Sequence, residues 1–169
     1  HTLIIVEKGA DLHFIEGCSA PKYYAANLHA GAVELFVKDG ARLRYSTIEN
    51  WSKNMYNLNT KRALVGSDAR MEWVSGSFGS HVSYLYPSTI LNGDRSNCDF
   101  TGITFAGATQ DLDTGCKVII NGADNTASVD TKSISKDGGV NTFRSAVTIG
   151  RKAANARVSV SCQSLMLDD

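Results

Sequence analysis

Apolar and polar positions alternate in short runs along this chain, and a turn introduces each run. In Lys38 to Trp51, KDGARLRYSTIENW, Gly40 supplies a bend; Leu43, Tyr45 and Thr47 then point one way and Arg42, Arg44 and Ser46 the other. The pattern recurs at Lys8 (KGADLHFIEG), Gly66 (GSDARMEWVSG), Gly93 (GDRSNCDFTG), Asn125 (NTASVDTKS) and Ala154 (ANARVSVSCQS). With Ala10, Ala41, Ala69, Ser96, Ala127 and Ala156 taken as equivalent, the intervals are 31, 28, 27, 31 and 29 residues. Self-similarity at a period of about 20 to 50 residues marks a solenoid, a propeller or an array. Few segments sustain a helical period and each repeat holds at least two strands. The predicted fold is therefore all-β, a parallel β-helix of about six coils, with a propeller or an antiparallel sandwich as alternatives.

Between the anchors, Leu3 to Val6, Ala32 to Val37, Arg62 to Val65, Ser88 to Asn92, Cys116 to Asn121 and Ser145 to Ile149 read as the other strands of the coils. Gly17, Cys18 and Pro21 read as a boundary, Tyr23 to Ala30 as a helical turn, and Ser52 to Asn59 as a polar excursion. Equivalent residues of successive coils should stack about 4.8 Å apart. Two on from each anchor lie Leu12, Leu43, Met71, Cys98, Val129 and Val158, and four on lie Phe14, Tyr45, Trp73, Phe100, Thr131 and Val160. Both rows are predicted core, with Asp11, Arg42, Arg70, Asn97, Ser128 and Arg157 facing water.

The inward rows then turn polar. Six on come Glu16, Thr47, Ser75, Gly102, Ser133 and Cys162; eight on come Cys18, Glu49, Ser77, Thr104, Ser135 and Ser164. Burying such groups unpaired costs roughly 1 to 3 kcal/mol each. They must hydrogen-bond along the stack, meet water in a channel, or sit at an open corner.

Composition narrows the function classes. Of the 169 residues, 43% are hydrophobic and 20% charged, enough for one domain with a substantial core. Seventeen basic residues balance seventeen acidic ones, so no net field draws the chain to nucleic acid or anionic lipid. No apolar run approaches the roughly 20 residues of a membrane span, and no signal peptide precedes the first repeat, so a soluble, cytoplasmic protein is expected. The chain opens at His1 inside a strand-like run and stops after another, which reads as an excerpt of a longer protein. Cys18, Cys98, Cys116 and Cys162 form no C-x-x-C pair, which argues against a zinc ribbon, and free thiols suit a reducing compartment.

Cys18 shares a register with Glu49 in adjacent coils, which sets a thiol beside a carboxylate. The anion disfavours the thiolate unless Lys61 or an arginine offsets it; the bland alternative is an inert buried cysteine. Cys162 lies five coil steps from Cys18, about 24 Å, too far for a disulfide, so the two could end one polar track. Cys98 and Cys116 read as core filler, and His13, His29 and His81 as surface or turn histidines. Asp111, Asp113 and Asp130 read as a solvated loop, with the carboxylates of a polysaccharide-cleaving β-helix as the alternative. Trp51 and Tyr56, flanked by Lys53 and Lys61, fit either a planar ligand or packing at the repeat edge.

EGCSAP (Glu16 to Pro21), LHAGAVEL (Leu28 to Leu35), YSTIENW (Tyr45 to Trp51), YNLNTKRA (Tyr56 to Ala63), SYLYPSTIL (Ser83 to Leu91), KSIS (Lys132 to Ser135) and SCQSLML (Ser161 to Leu167) carry a further signal. In these motifs the chain resembles the SufB branch of the SufB/SufD family, scaffolds of SUF iron–sulfur cluster assembly. The resemblance implies a right-handed parallel β-helix over residues 1 to 169, followed in the family by a helical C-terminal domain. It implies a non-enzymatic scaffold that accepts persulfide sulfur, moves it through a tunnel and holds a transient iron–sulfur cluster. The implied partners are the ATPase SufC, SufD or a second SufB, and a cysteine desulfurase with its sulfur shuttle. Reduced flavin in the full complex, and a cytosolic or plastid setting, are implied as well. Carried over by position, Cys18 is the sulfur acceptor, Glu49, Trp51 and Lys61 are tunnel residues, and Cys162 is the cysteine of the cluster site. Some members carry glutamine in the place of Glu49. The family's downstream His-Glu motif would fall beyond Asp169, so this stretch alone is expected to hold a cluster poorly. A purely structural SufD-like partner, and then a carbohydrate-active β-helix, are the alternative functions.

Overall fold

The computed structural model describes residues 1–20 and 25–168. Every regular element among them is a strand. One sheet holds β1 (Thr2–Val6), β3 (Asn27–Val37), β5 (Met55–Val65), β7 (Val82–Leu85) with β8 (Ser88–Leu91), β10 (Asp111–Ile120) and β12 (Val140–Ile149). The other holds β2 (Asp11–Ser19), β4 (Arg42–Asn50), β6 (Arg70–Ser77), β9 (Asn97–Ala106), β11 (Thr126–Ser135) and β13 (Arg157–Met166). All pairings are parallel and join each strand to its equivalent one coil on. The chain therefore winds as a β-solenoid of about six turns.

One corner fixes the winding. Gly9, Gly40, Asp68, Arg95, Asp124 and Asn155 hold equivalent places in successive coils, and all have φ between 53° and 71°. Glycine, aspartate and asparagine tolerate this left-handed conformation. Arg95 is held there by a two-pronged ion pair to Asp68, at 2.7 Å for each contact. The corner also corrects the fifth anchor. The residue stacked on Ser96 and Ala156 is Asn125, not Ala127, because Ala127 pairs with Cys98 and Val158. Asn125 is fully buried and accepts hydrogen bonds from the Ser96 amide (2.7 Å) and hydroxyl (3.0 Å), so a polar bracket replaces the alanine. The slip is two residues, which leaves every inward side chain inward.

With the register set, Leu43, Met71, Cys98 and Ala127, and Tyr45, Trp73, Phe100 and Val129, pack against Leu35, Val37, Ala63, Val65, Leu91, Val118 and Ile120 of the facing sheet. Leu12, Val158 and Val160 have the predicted inward parity yet are 36%, 37% and 49% exposed. Their strands are the outermost of the sheet, so no coil among the described residues covers them.

Several local expectations change. Gly17 and Cys18 lie within β2 and form no boundary. Asn27 to Ala30 begin β3 rather than a helical turn, held by the ladder to β5; the predicted turn's start and Pro21 lie outside the described residues. The polar excursion ends early, at Met55, where β5 starts. Asp111 and Asp113 sit in β10 and Asp130 in β11, so none is in a loop.

Candidate functional site

Strands β2 and β4 put Cys18 opposite Glu49, and Glu16 opposite Thr47. Glu16 and Cys18 are two residues apart on one strand, so both face inward. From the opposite sheet, β5 sends in Lys61, whose Nζ lies 3.0 Å from Glu16 Oε2, 3.2 Å from Thr47 Oγ1 and 3.6 Å from Glu49 Oε1. The same ammonium sits 5.0 Å from the centre of the Tyr45 ring. The Tyr45 hydroxyl donates to Glu16 Oε2 at 2.8 Å. Asn57 Nδ2 donates to Glu49 Oε2 at 2.5 Å, and Asn57 Oδ1 meets His29 Nδ1 at 2.8 Å. The His29 ring lies against Trp51, with centroids 4.6 Å apart. A hydrogen-bonded and ionic chain thus crosses the inside of the coil from His29 to Tyr45.

The charges act on the thiol. Burial pushes the Cys18 thiol up, the Glu16 and Glu49 carboxylates push it further, and Lys61 pulls it back only in part. Burial would raise Glu16 too, but its ion pair and hydrogen bond with Lys61 and the bond from Tyr45 hold it below the ordinary carboxylate range. Tyr45 is driven well above a free phenol by burial and by Glu16. At neutral pH Cys18 is consequently a protonated thiol beside a fixed proton acceptor and a fixed cation.

Glu49 and Lys61 border an interior space that leads toward Cys162, whereas Cys18, Glu16 and Trp51 line neither of its two cavities. A cavity of about 20 Å³ is lined by Thr47, Glu49, Asn59, Lys61, Trp73, Ser75, Leu85, Tyr86, Pro87 and Phe100 among others. A second, of about 40 Å³, shares Ser75, Leu85, Pro87 and Phe100 with the first and continues past Ser77, Thr104, Thr131 and Ser133 to Cys162 and Ser164. One water needs roughly 10 to 15 Å³, so both admit small guests. Neither interior cavity has room for a flavin ring. Asn59 Oδ1 and Asn141 Oδ1 are buried at the cavity walls without a protein partner. Because of the corrected register, the side chain beside Cys162 is Thr131 and the one beside Ser164 is Ser133.

The whole chain, residues 1–169, matches the family described as SUF system FeS cluster assembly, SufBD core domain. The chain belongs to the SufBD core family. Iron–sulfur cluster assembly SufBD family proteins of Staphylococcus saprophyticus and of a methicillin-resistant Staphylococcus aureus strain are each 44% identical to it over 168 residues, which is 99% of this chain and 36% of each relative. The SufBD core chain therefore spans about a third of the length of the curated relatives it matches. Its family places it in iron–sulfur cluster assembly. None of its described residues forms a helix long and apolar enough to cross a membrane.

The remaining candidates of this SufBD core separate clearly. Cys162 is exposed in β13, and no group of three potential metal ligands occurs among the described residues. Cys98 and Cys116 are buried filler, as expected. Burial pushes Cys98 up to about 12, against the Thr89 hydroxyl that its thiol reaches at 3.3 Å, and Cys116 up to about 11. In the full-length protein Cys98 and Cys116 should resist iodoacetamide at neutral pH until denaturant is added, as peptide mass spectrometry would show. Asp113 is buried on β10, where it accepts from Tyr86 and pairs with Arg144 at 3.0 Å, so it offers no free carboxylate for glycoside cleavage. His13 and His81 keep their outer positions, bonded to Ser46 and to the Thr109 carbonyl. His29 does not: it reaches Asn57 and Trp51, so the surface reading of it is corrected. Lys61 is buried and cannot flank Tyr56 at a surface; Trp51 is only partly exposed, with a buried, unpartnered ring N–H. The residue pattern marks Tyr45 only as core, which it is, and His29 only as a surface or turn histidine, and it carries no individual signal for Asn57. Glu16 alone had a visible signal, its shared parity with Cys18.

Proposed function

We propose that this domain is a scaffold in which Cys18 accepts sulfane sulfur, the interior conducts sulfur along the solenoid, and Cys162 contributes to holding the nascent cluster. It acts without catalytic turnover of its own. The observation that carries this reading is the pair of adjoining cavities, which run from the Glu49 and Lys61 cluster beside Cys18 to Cys162 between serine and threonine side chains. In the transfer, the Cys18 thiolate attacks the outer sulfur of a donor persulfide; the donor leaves as a thiolate, and the Cys18 proton passes to it through solvent or a nearby carboxylate. Lys61 supplies the positive charge that offsets the thiolate, Glu49 and Thr47 shape the near end of the cavity, and Trp51 acts one step back by packing on His29.

The 169 residues are read as the β-helix core of a longer chain, working with the SufC ATPase, with SufD or a second SufB, and with a cysteine desulfurase and its shuttle in the cytoplasm or a plastid. β12 and β13 are the last strands of their sheets among the described residues, and pairing with another such solenoid at that end is part of this proposal. The test is peptide mass spectrometry of full-length protein after incubation with cysteine, desulfurase and shuttle. Sulfur is expected on Cys18, and Cys18→Ala should lower cluster formation by about tenfold or more, as loss of a nucleophile does. If Cys18 gains no sulfur and Cys18→Ala assembles clusters normally, the domain is a structural partner only.

A further inference from the structure

Resting on that reading, we infer that sulfur crosses the interior as neutral hydrogen sulfide, set free from the Cys18 persulfide by a small-molecule thiol, and not by passing from cysteine to cysteine. Three observations support this. Direct persulfide exchange requires sulfur atoms in contact, yet Cys18 and Cys162 stand five strand spacings apart, about 24 Å. The two other thiols of the described residues cannot bridge the gap, since neither Cys98 nor Cys116 lines either interior cavity. Cys98 is committed to the core against Thr89, and Cys116 faces Ser145 at 3.8 Å.

The lining then selects the form of the traveller. At the mouth two carboxylates, Glu16 and Glu49, share the single ammonium of Lys61, an excess of negative charge that repels hydrosulfide and persulfide anions. Beyond them the lining is neutral: the hydroxyls of Ser75, Ser77, Thr104, Thr131 and Ser133, the amide of Asn141, and apolar groups such as Phe100 and Phe143. The only charged residue touching the second cavity, Lys132, is exposed and has the outward parity. An anion stripped of water along such a path finds no counter-charge, whereas a small neutral molecule loses little.

The release step balances as Cys18–S–SH plus two thiols giving Cys18–SH, hydrogen sulfide and one disulfide. The sulfane sulfur is reduced and the two thiols are oxidised, their protons ending on sulfide and on Cys18. Sulfide then meets ferrous iron beside Cys162, which serves as ligand and carries no persulfide.

Gly102 allows the path itself to be tested. It lies midway in the inward row between Ser75 and Thr131, and a Cβ there would sit 2.9 Å from the Phe100 ring and 3.3 Å from Thr131. The experiment loads full-length protein with heavy-isotope sulfur from cysteine and a desulfurase, removes the donors, and adds dithiothreitol and ferrous iron with a sulfide trap in the bulk solution. Label is expected on Cys18 alone. It should leave as sulfide about tenfold faster with dithiothreitol than without, and a Cys98→Ala, Cys116→Ala variant should behave like the parent. Gly102→Leu should keep its label on Cys18 while trap-resistant cluster formation falls about tenfold, the cost of filling a close-packed path. Added sulfide and iron should still reconstitute it, and Ser77→Leu serves as a second plug. Label found as persulfide on Cys162 once the donors are removed and before dithiothreitol is added, loss of transfer in the double cysteine variant, or plugs without effect overturn the inference and leave Cys18 as acceptor. Absence of label from Cys18 overturns the proposed function and this inference together.

Discussion

Replacing Lys61 with methionine should lower the stability of the domain by about 3–5 kcal/mol, read as a reduced midpoint in denaturant unfolding, because a buried ion pair loses one partner and leaves the other uncompensated. Two carboxylates lose their cation at once: Glu49, with its side chain 3% exposed, and Glu16, at 27%. The hydrocarbon of methionine fills the space but returns no hydrogen bond to Glu16 or Thr47. Adding Glu16→Gln and Glu49→Gln to the variant should recover most of the loss, since neutral amides need no counter-ion. The acid response separates this cause from simple packing. In the parent, Glu16 has a lowered pKa, so its contribution is complete above its unfolded value of 4.5 and disappears as pH falls through the lower folded value. Without Lys61 the burial that opposes ionisation is left as the main influence on Glu16. Its folded pKa then rises above the unfolded one, and mild acid should stabilise Lys61→Met relative to neutral pH. Equal slopes for parent and variant between about pH 4 and 6 would count against the ion-pair account.

How much of this was readable in advance follows from what a repeat encodes. Alternation gives parity, and parity alone separated Leu43, Tyr45, Met71 and Trp73 from Arg42, Arg44 and Arg70. The stacking of Cys18 on Glu49 also follows from it, because the turn at Gly9 and Gly40 has the same form in both coils. The fifth coil slips because the anchor is a small residue in the other coils and an asparagine in this one. Asn125 is polar, and it satisfies itself with bonds to Ser96, Gly122 and Leu91 that are invisible in sequence. Because the slip was even, faces survived and neighbours did not, which exchanged Thr131 for Ser133 beside Cys162. The phase of one sheet against the other is a different matter. It depends on corner geometry, so the arrival of Lys61 between Glu16 and Glu49, and of His29 through Asn57, could not be read from a period near 30 residues. The sequence offers Lys61 only as a counter-charge for Cys18, as a flank of Tyr56 and, through the family resemblance, as a tunnel residue.

The same two-sheet closure makes Trp73 the position where packing and conduit meet, and Trp73→Ala should cost about 3–5 kcal/mol, the range for large aromatic truncations in cores. The ring is 4% exposed, stands 5.5 Å from Tyr45, and donates from Nε1 to Thr89 Oγ1 at 2.8 Å across to the other sheet. Thr89 keeps the Cys98 thiol as a partner after truncation, so the loss is mainly of packing. Trp73→Phe should fall between parent and alanine variant in denaturant midpoint, since it restores most of the volume but not the bond to Thr89. The functional consequence comes from the wall that Trp73 shares with Glu49 and Lys61. Removing the indole widens the cavity beside Glu49 and Lys61 and admits water, which screens Glu49, whose charge raises the Cys18 pKa more than Lys61 lowers it. Alkylation of Cys18 at neutral pH should therefore accelerate in Trp73→Ala and change less in Trp73→Phe. Acceleration that followed overall unfolding would appear equally at Cys116, which is buried on β10 and lines neither interior cavity; a change confined to Cys18 locates the effect at the Glu49 and Lys61 cluster.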